Sequence, residues 1–295
     1  MIVNFGSINA DLIFTVSALP DAGQTLMAQG FHTEAGGKGA NQALAAALDG
    51  ARVAMAGAVG GDALADIALH GLKGKVDLSR VARLDAPTGC ASIHRDGDGR
   101  NVIVVAGGAN LAASSDLVED ALLREANILL LQMENDPAEI ERLIRRSRAT
   151  GIRSILNLAP AFRLPRDVLA LCDLIVVNED ESQALADWLN CGASASELAR
   201  ASGSGILRTL GAEGAELCWG GTEVVVPAVP CVVRDTTSAG DCFVGVFAAA
   251  LDRGAGAEAA LHRAAAAASI ACTRTGSQSS LPSAAEIDAK QRIAR

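Results

Sequence analysis

The run ILLLQMENDPAEIERLIRRSRATGIRSILNL, residues 128–158, decides the fold. It opens on the unbroken apolar segment Ile128–Gln132, passes through the helical pattern Pro137–Ala149, and returns to an apolar segment at Ile155–Leu158. Strands that are continuously apolar are covered on both faces, which is the mark of a parallel sheet flanked by helices. The same alternation runs along the chain. Strands are expected at Ile2–Phe5, Val53–Ala58, Leu174–Val177, Ile206–Thr209 and Glu216–Trp219. Helices are expected at Gly39–Leu48, Asp62–Leu72, Glu179–Asn190, Gly240–Asp252 and Ala257–Thr273. The reading is an α/β fold on a mostly parallel sheet, whose ligands bind at the carboxyl ends of the strands.

Two stretches interrupt the alternation. Asp11–Thr33 and Thr88–Val105 read as β-hairpins, the second turning at Asp96-Gly97-Asp98-Gly99 between Ala91–His94 and Val102–Val105. Together they predict a small sheet projecting from the body as a lid. Asn190–Ser204, rich in Ala, Ser and Gly, reads as a short helix with loops. With no repeat and no long linker, residues 1–295 are expected to form one domain, with the lid at about 11–33 and 88–105.

Composition excludes several functions. Of the 295 residues 50% are hydrophobic and 20% charged, enough for a core and unlike a disordered chain. A net charge of −9 argues against nucleic acid or an anionic membrane as partner. With 3% aromatics and no Tyr there is little to stack single-stranded bases on. The opening MIVNFGSINAD has no basic segment ahead of an apolar one, so no secretory signal is expected. The longest apolar runs, such as Phe243–Leu251, are too short to span a bilayer. The seven cysteines are irregularly spaced without a CxxC and read as reduced core residues of a cytoplasmic protein. His32, His70, His94 and His262 lack zinc-site spacing. Arg142, Arg145, Arg146 and Arg148 read as a solvated helix face.

The segments after the strands carry the chemistry. Gly36-Gly37-Lys38-Gly39-Ala40-Asn41 precedes a helix and suits close approach of a ligand, or a structural turn. It is not a Walker A loop, and no GxGxxG follows the first strand, which removes a dinucleotide-dependent dehydrogenase. Asp235-Thr236-Thr237-Ser238-Ala239-Gly240-Asp241 runs into an apolar helix; it is either an ordinary capped helix start, which Asp241 suits, or an anion hole in which three small residues expose backbone N–H groups with Asp241 beside them. Asn178-Glu179-Asp180-Glu181 fits a capping box, and equally a pair facing phosphates, with Glu181 holding the water shell of Mg²⁺. Asn9, Asp11 and Glu134, at strand ends, are either turn residues or ligands for sugar hydroxyls. Thr209-Leu210-Gly211-Ala212-Glu213-Gly214 is either a hairpin turn or a loop with room for a nucleotide.

These motifs in this order resemble the ribokinase, or PfkB, family of carbohydrate kinases over essentially the whole chain. The resemblance rests on GSINAD (6–11), GGKGANQA (36–43), GAN (108–110), LLLQMEN (129–135), NLAPA (157–161), NEDE (178–181), TLGAEG (209–214), DTTSAGD (235–241) and TRTGSQSSLP (273–282). It implies a three-layer α/β/α body with a projecting β-sheet lid. It implies an ATP-dependent kinase acting on the primary 5-hydroxyl of D-ribose, or on another sugar or a nucleoside. By position, Asp241 matches the catalytic base and Ala239, Gly240 and Asp241 the anion hole. Asn9, Asp11, Gly37, Lys38, Asn41 and Glu134 match the sugar side, with Ala91 and Ile93 covering it from the lid. Asn178, Thr209, Leu210, Gly211, Ala212, Gly214 and Gly240 match the nucleotide side, and Glu181 the Mg²⁺ motif. Asp235, Thr237, Ala271, Arg274, Gly276 and Ser280 match a monovalent-cation site, which implies activation by K⁺. The resemblance further implies a cytoplasmic homodimer joined through the lids.

Three features depart from the family pattern. Asn190–Ser204 is short, Ala265 stands where a His or Asn is common, and Ser92 replaces an apolar lid residue. A nucleoside kinase would want an apolar or aromatic platform for the base near the lid, and the scarcity of aromatics weighs against it. A non-catalytic sugar-binding protein would be expected to have lost the base or the anion hole, and both are present.

Overall fold

The computed structural model describes residues 1–97 and 100–293. Its strands are β1 (Ile2–Phe5), β2 (Asn9–Thr15), β3 (Gly30–Gly36), β4 (Val53–Gly60), β5 (Asp77–Leu84), β6 (Gly89–Arg95), β7 (Asn101–Ala106), β8 (Ile128–Gln132), β9 (Arg153–Asn157), β10 (Leu174–Val177), β11 (Gly205–Thr209), β12 (Ala215–Trp219) and β13 (Thr222–Val226). Its helices are α1 (Lys38–Leu48), α2 (Ala63–Leu69), α3 (Asp120–Glu125), α4 (Pro137–Thr150), α5 (Arg166–Leu169), α6 (Glu179–Leu189), α7 (Ala195–Ser202), α8 (Ala239–Asp252), α9 (Ala257–Ala271) and α10 (Ala284–Ile293).

Nine strands form the central sheet in the order β13-β12-β11-β10-β9-β8-β1-β4-β5. Pairing is parallel from β5 through to β11, and antiparallel only where β12 and β13 are added. Successive side chains of a strand point to opposite faces. Ile128 and Leu130 of β8 therefore enter one core with residues of α1, α2, α8, α9 and α10. Leu129 and Leu131 enter the other, with residues of α3 to α7. Two cores on two faces make the three layers. The chain runs outward from β1 to β4 and β5 on one side, and from β8 onward on the other, so the order reverses between β1 and β8. That reversal opens a crevice at the carboxyl ends of these two strands.

The interrupting stretches are hairpins. β2 pairs antiparallel with β3, and β6 with β7; a parallel β2–β6 pairing joins them into one four-stranded sheet. Asp98 and Gly99 of the expected turn lie outside the described residues. In register, Asp11 faces Ala91 and Ile13 faces Ile93. Ile13, Ala91 and Ile93 form a small apolar cluster of their own. Ser92 lies on the opposite face, where its hydroxyl is 3.0 Å from His94 Nε2, so its departure from the family pattern leaves the pocket face unchanged. Ala265 is buried in α9, within the core.

The structure corrects some expectations. β5 and β13 were not expected: Asp77–Leu84 has charged residues at Asp77, Arg80 and Arg83, and Thr222–Val226 opens with Thr222 and Glu223, because both are edge strands with one side open. Helix α2 is shorter than Asp62–Leu72, since Asp62 is its N-cap, accepting from Ala65 N–H. Only Cys172 and Cys242 of the seven thiols are fully buried, although all seven are unpaired. No described helix is long and apolar enough to cross a membrane.

One ion-pair cluster ties the helices of one layer together at their ends. Asp49, just past α1, has a side chain with no exposed surface. It accepts from Arg253 beyond α8 at 2.6 Å and from Arg263 of α9 at 2.5 Å. Neutralising Asp49 strands two guanidiniums that are 38% and 16% exposed, so the cost should fall somewhat below that of breaking a wholly buried pair. Asp49→Asn is expected to lose about 2–3 kcal/mol in urea unfolding. A loss under about 0.5 kcal/mol, the scale of an exposed ion pair, would contradict that role.

Candidate active site

The GGKG turn connects the lid to α1 at the mouth of the crevice. Gly37 has φ +90, and a Cβ there would lie 2.8 Å from the Asn9 nitrogen. A Cβ on Gly39 would lie 2.6 Å from the Gly6 carbonyl carbon, so glycine lets α1 start directly against the end of β1. Ser7 fastens this junction: its hydroxyl donates to Glu134 Oε2 at 2.5 Å and accepts from Gly39 N–H at 3.2 Å. Lys38 N–H also donates to Glu134, at 3.2 Å.

Behind the turn runs a buried chain of amides. Gln132 at the end of β8 donates to Asn4 Oδ1 at 3.1 Å and to Gln42 Oε1 at 2.7 Å. Gln42 donates to Asp241 Oδ1 at 2.9 Å. Asn41 donates to Asp241 Oδ2 and to Ser238 Oγ, each at 3.1 Å. Asp241 is 8% exposed in the first turn of α8, and both of its oxygens are oriented by α1. Asn41 Oδ1 is buried with no partner among the described residues. A buried acceptor of this kind calls for a donor such as a ligand hydroxyl.

The lid side is acidic. Burial pushes the Asp11 carboxyl up to about 7, helped by the negative charges of Glu134, Glu34 and Asp241. Asn9 is nearby, but its Oδ1 accepts from Asn110 at 2.6 Å, so its side chain is partly spent on holding the Gly108–Ala112 turn. Ala91 and Ile93, on the same face as Asp11, give an apolar wall.

On the other side of Asp241 lies a cavity of about 220 Å³ lined by Lys38, Asn178, Glu181, Thr209, Gly240 and Asp241 among others. Burial opposes the Lys38 ammonium, but Asp241, Glu134 and Glu181 outweigh it and hold its pKa above the usual lysine range. Asn178 and Glu181 form the capping box of α6, each accepting at 2.8 Å from the other's backbone N–H. Burial is also the main reason the Glu181 carboxyl titrates above its usual range. Its Oε1 makes no hydrogen bond among the described residues and remains available to a hydrated cation. So forming the capping box still leaves both residues on the wall of the cavity. Leu210, Gly211, Ala212 and Gly214 form the turn after β11, beyond the wall supplied by Thr209. At the α8 start, Ser238 has φ +58, and Ala239 N–H donates to Thr236 O at 3.2 Å. Ala239 N–H is thus used within the turn, while Gly240 and Asp241 N–H make no hydrogen bond among the described residues.

The expected cation ligands gather as well, but their single carboxylate is already saturated. Asp235 Oδ1 accepts from Thr237 N–H at 2.9 Å and Thr237 Oγ1 at 2.6 Å. Oδ2 takes Gly276 N–H at 3.2 Å and the Arg95 guanidinium at 3.1 Å. A carboxylate offers about four acceptor positions, and all four are used, so the site as built does not fit a further cation on Asp235. Ser280 Oγ donates to Ser277 O at 2.8 Å, and the Ala271 carbonyl, offered with those of Thr237, Arg274 and Gly276 as a backbone ligand, accepts from Arg274 N–H at 3.0 Å.

Ser7, Glu34, Gln42 and Arg95 escaped the sequence reading. The signal for Gln42 was faint: it follows Asn41 on a helix whose other residues are mostly small and apolar. Arg95 sits beside a turn, where a charge needs no explanation.

The profile of the pfkB family carbohydrate kinases matches residues 1–284. The chain is 33% identical over 290 residues to the ribokinase of Haemophilus influenzae, covering 95% of each. The ribokinase of Thermotoga maritima superposes with a TM-score of 0.92 at 30% identity, over 99% of both chains. The Arabidopsis thaliana ribokinase complexed with ribose and ATP gives a TM-score of 0.87 at 31% identity, over 98% of this chain and 97% of that one. With that profile spanning residues 1–284 and a relative 33% identical over 95% of the chain, the protein belongs to the pfkB family of carbohydrate kinases.

Proposed function

We propose that the protein is an ATP-dependent ribose kinase, transferring the γ-phosphate to the primary 5-hydroxyl of D-ribose. One observation carries this reading. Asp241 is held by α1 amides between the acidic group of Asp11, Glu34 and Glu134 and a cavity at a helix start with open N–H groups. The identity to ribokinases and the likeness to one that holds ribose and ATP support ribose as the sugar. Asp241 takes the proton of the 5-hydroxyl as that oxygen forms its bond to Pγ. The bond from Pγ to the bridging oxygen breaks, and ADP leaves with the electron pair. Such transfers are carried by positioning and charge neutralisation more than by covalent chemistry. Asp11, Asn41 and Glu134 hold the sugar hydroxyls, with Asn41 Oδ1 as the waiting acceptor. The Gly240 and Asp241 N–H groups and the Lys38 ammonium face the transferring phosphoryl group.

Mg²⁺ fits the donors present: Glu181 offers a free carboxylate oxygen in the nucleotide cavity. When bound there through water, Mg²⁺ would neutralise phosphate charge. No step is assigned to K⁺. A second copy of the chain is proposed to cover the lid. All six residues of β7 are exposed, including Val102 to Val105 at 45–63%, and Phe31 of β3 is 57% exposed. Consumption of ATP and seven unpaired thiols suit the reducing cytoplasm.

Asp241→Asn keeps the shape of the side chain and removes the base. It is expected to lower kcat by about 10²–10⁴ while KM for ribose and ATP stays within a few-fold. Activity near wild type would refute the assignment.

Asp11 sets a pH dependence. A folded pKa of about 7, raised from 3.8, means that its contribution to stability is present below 3.8 and lost as pH rises through about 7. Hydroxyls that donate to Asp11 favour the charged form, so ribose binding should strengthen as the carboxyl ionises. KM for ribose is expected to fall, by at most about tenfold per pH unit, as pH rises toward 7 and to level above it. The profile should flatten in Asp11→Asn. An unchanged profile in that variant would show that another group is responsible.

A further inference from the structure

We infer that the Arg95 guanidinium takes the place of a monovalent cation at Asp235 and thereby orders the loop that leads into the anion hole. Arg95 is the last residue of β6, two positions beyond Ile93, and so lies on the face of the lid turned toward the body. Its Nη2 is 3.1 Å from Asp235 Oδ2 and 3.2 Å from Thr237 Oγ1. The Asp235 side chain is 7% exposed and that of Arg95 29%. Asp235 would be left as a buried anion on neutral donors alone if this arginine were removed. A guanidinium, unlike a free ion, brings its charge on a covalent tether with donors fixed in a plane.

The position of this contact gives it a consequence. Asp235 and Thr237 lie within six residues of Asp241 in the segment that makes the Ser238 turn. The Oδ2 atom that meets Arg95 also accepts from Gly276 N–H, and Ser277 N–H donates to Glu34 of β3 at 2.8 Å. The lid therefore reaches the anion-hole loop directly through Arg95, and the adjoining 276–277 turn through Glu34. Charge compensation at Asp235 comes from the lid, so order in that loop depends on the lid being seated rather than on ions in solution. Arg95 touches neither substrate in this arrangement; it is a positioning residue.

The test compares wild type, Arg95→Ala and Arg95→Lys in buffer free of sodium and potassium, titrated with KCl against tetramethylammonium chloride at matched ionic strength. The activity readout, ribose-dependent ADP release, rests on the kinase reading; the melting temperature in the same salts does not. Wild type is expected to show no potassium-specific gain in kcat or in melting temperature. Arg95→Ala should lose roughly tenfold in kcat, the scale of one hydrogen bond to a charged group, and should regain most of it with KCl but not with the control salt. Its melting temperature should rise with KCl in parallel, and Arg95→Lys should lie between the two. Strong potassium activation of wild type would overturn the inference. So would an Arg95→Ala protein that stays impaired at every KCl concentration, or one as active and as potassium-indifferent as wild type. Absence of ribose-dependent ADP release in wild type would instead count against the kinase reading, and the melting data would still decide the role of Arg95.

Discussion

The hydrogen bond from Gln42 to Asp241, 2.9 Å long and buried, is the contact on which the rest of the site depends. It joins α1 to α8, and Gln132 extends it to the carboxyl end of β8. A buried carboxylate is costly unless its oxygens are satisfied. Here the partners are two neutral amides, Gln42 and Asn41, which orient the carboxylate without neutralising it by an ion pair. Both Asp241 oxygens are thus held in fixed directions at the start of α8. The sheet supplies rigidity: residues from β1 and β8 anchor one end of the chain of amides, and these strands flank the reversal in strand order.

Charge is distributed around that contact in opposite senses. Asp11, Glu34 and Glu134 gather on the lid side, where a polyhydroxylated ligand supplies donors. Lys38 and the α8 N–H groups lie on the other side, where phosphates supply negative charge. A neutral ligand and an anionic one are therefore sorted by electrostatics before any shape is considered. The lid brings apolar Ala91 and Ile93 onto the face that carries Asp11. Its outer strands leave Val102, Ile103, Val104, Val105 and Phe31 exposed.

The central strands were legible because burial on both faces leaves unbroken apolar runs such as Ile128–Gln132. The edge strands β5 and β13 were not, because an edge strand need not be apolar on both sides. The hairpins could be read from turn chemistry and position, but their parallel β2–β6 pairing is a long-range contact with no local signature. Asp241, Asn41 and Glu181 stood out because small residues or caps at strand ends demand a reason. Gln42 and Arg95 did not, since an amide on a helix and an arginine by a turn are unremarkable until the fold brings Asp241 and Asp235 to them. Nor does the sequence display the left-handed Ser238, which turns the Ala239 N–H onto Thr236 O.

The central claim is that a primary sugar hydroxyl is presented to Asp241 beside the open end of α8. Phosphorus NMR of the product made from D-ribose and ATP tests it most directly. The account predicts one phosphorylated product, with the phosphate on the primary 5-oxygen and one ADP formed per product. A phosphate on the anomeric oxygen would contradict it, as would turnover of a nucleoside with none of ribose.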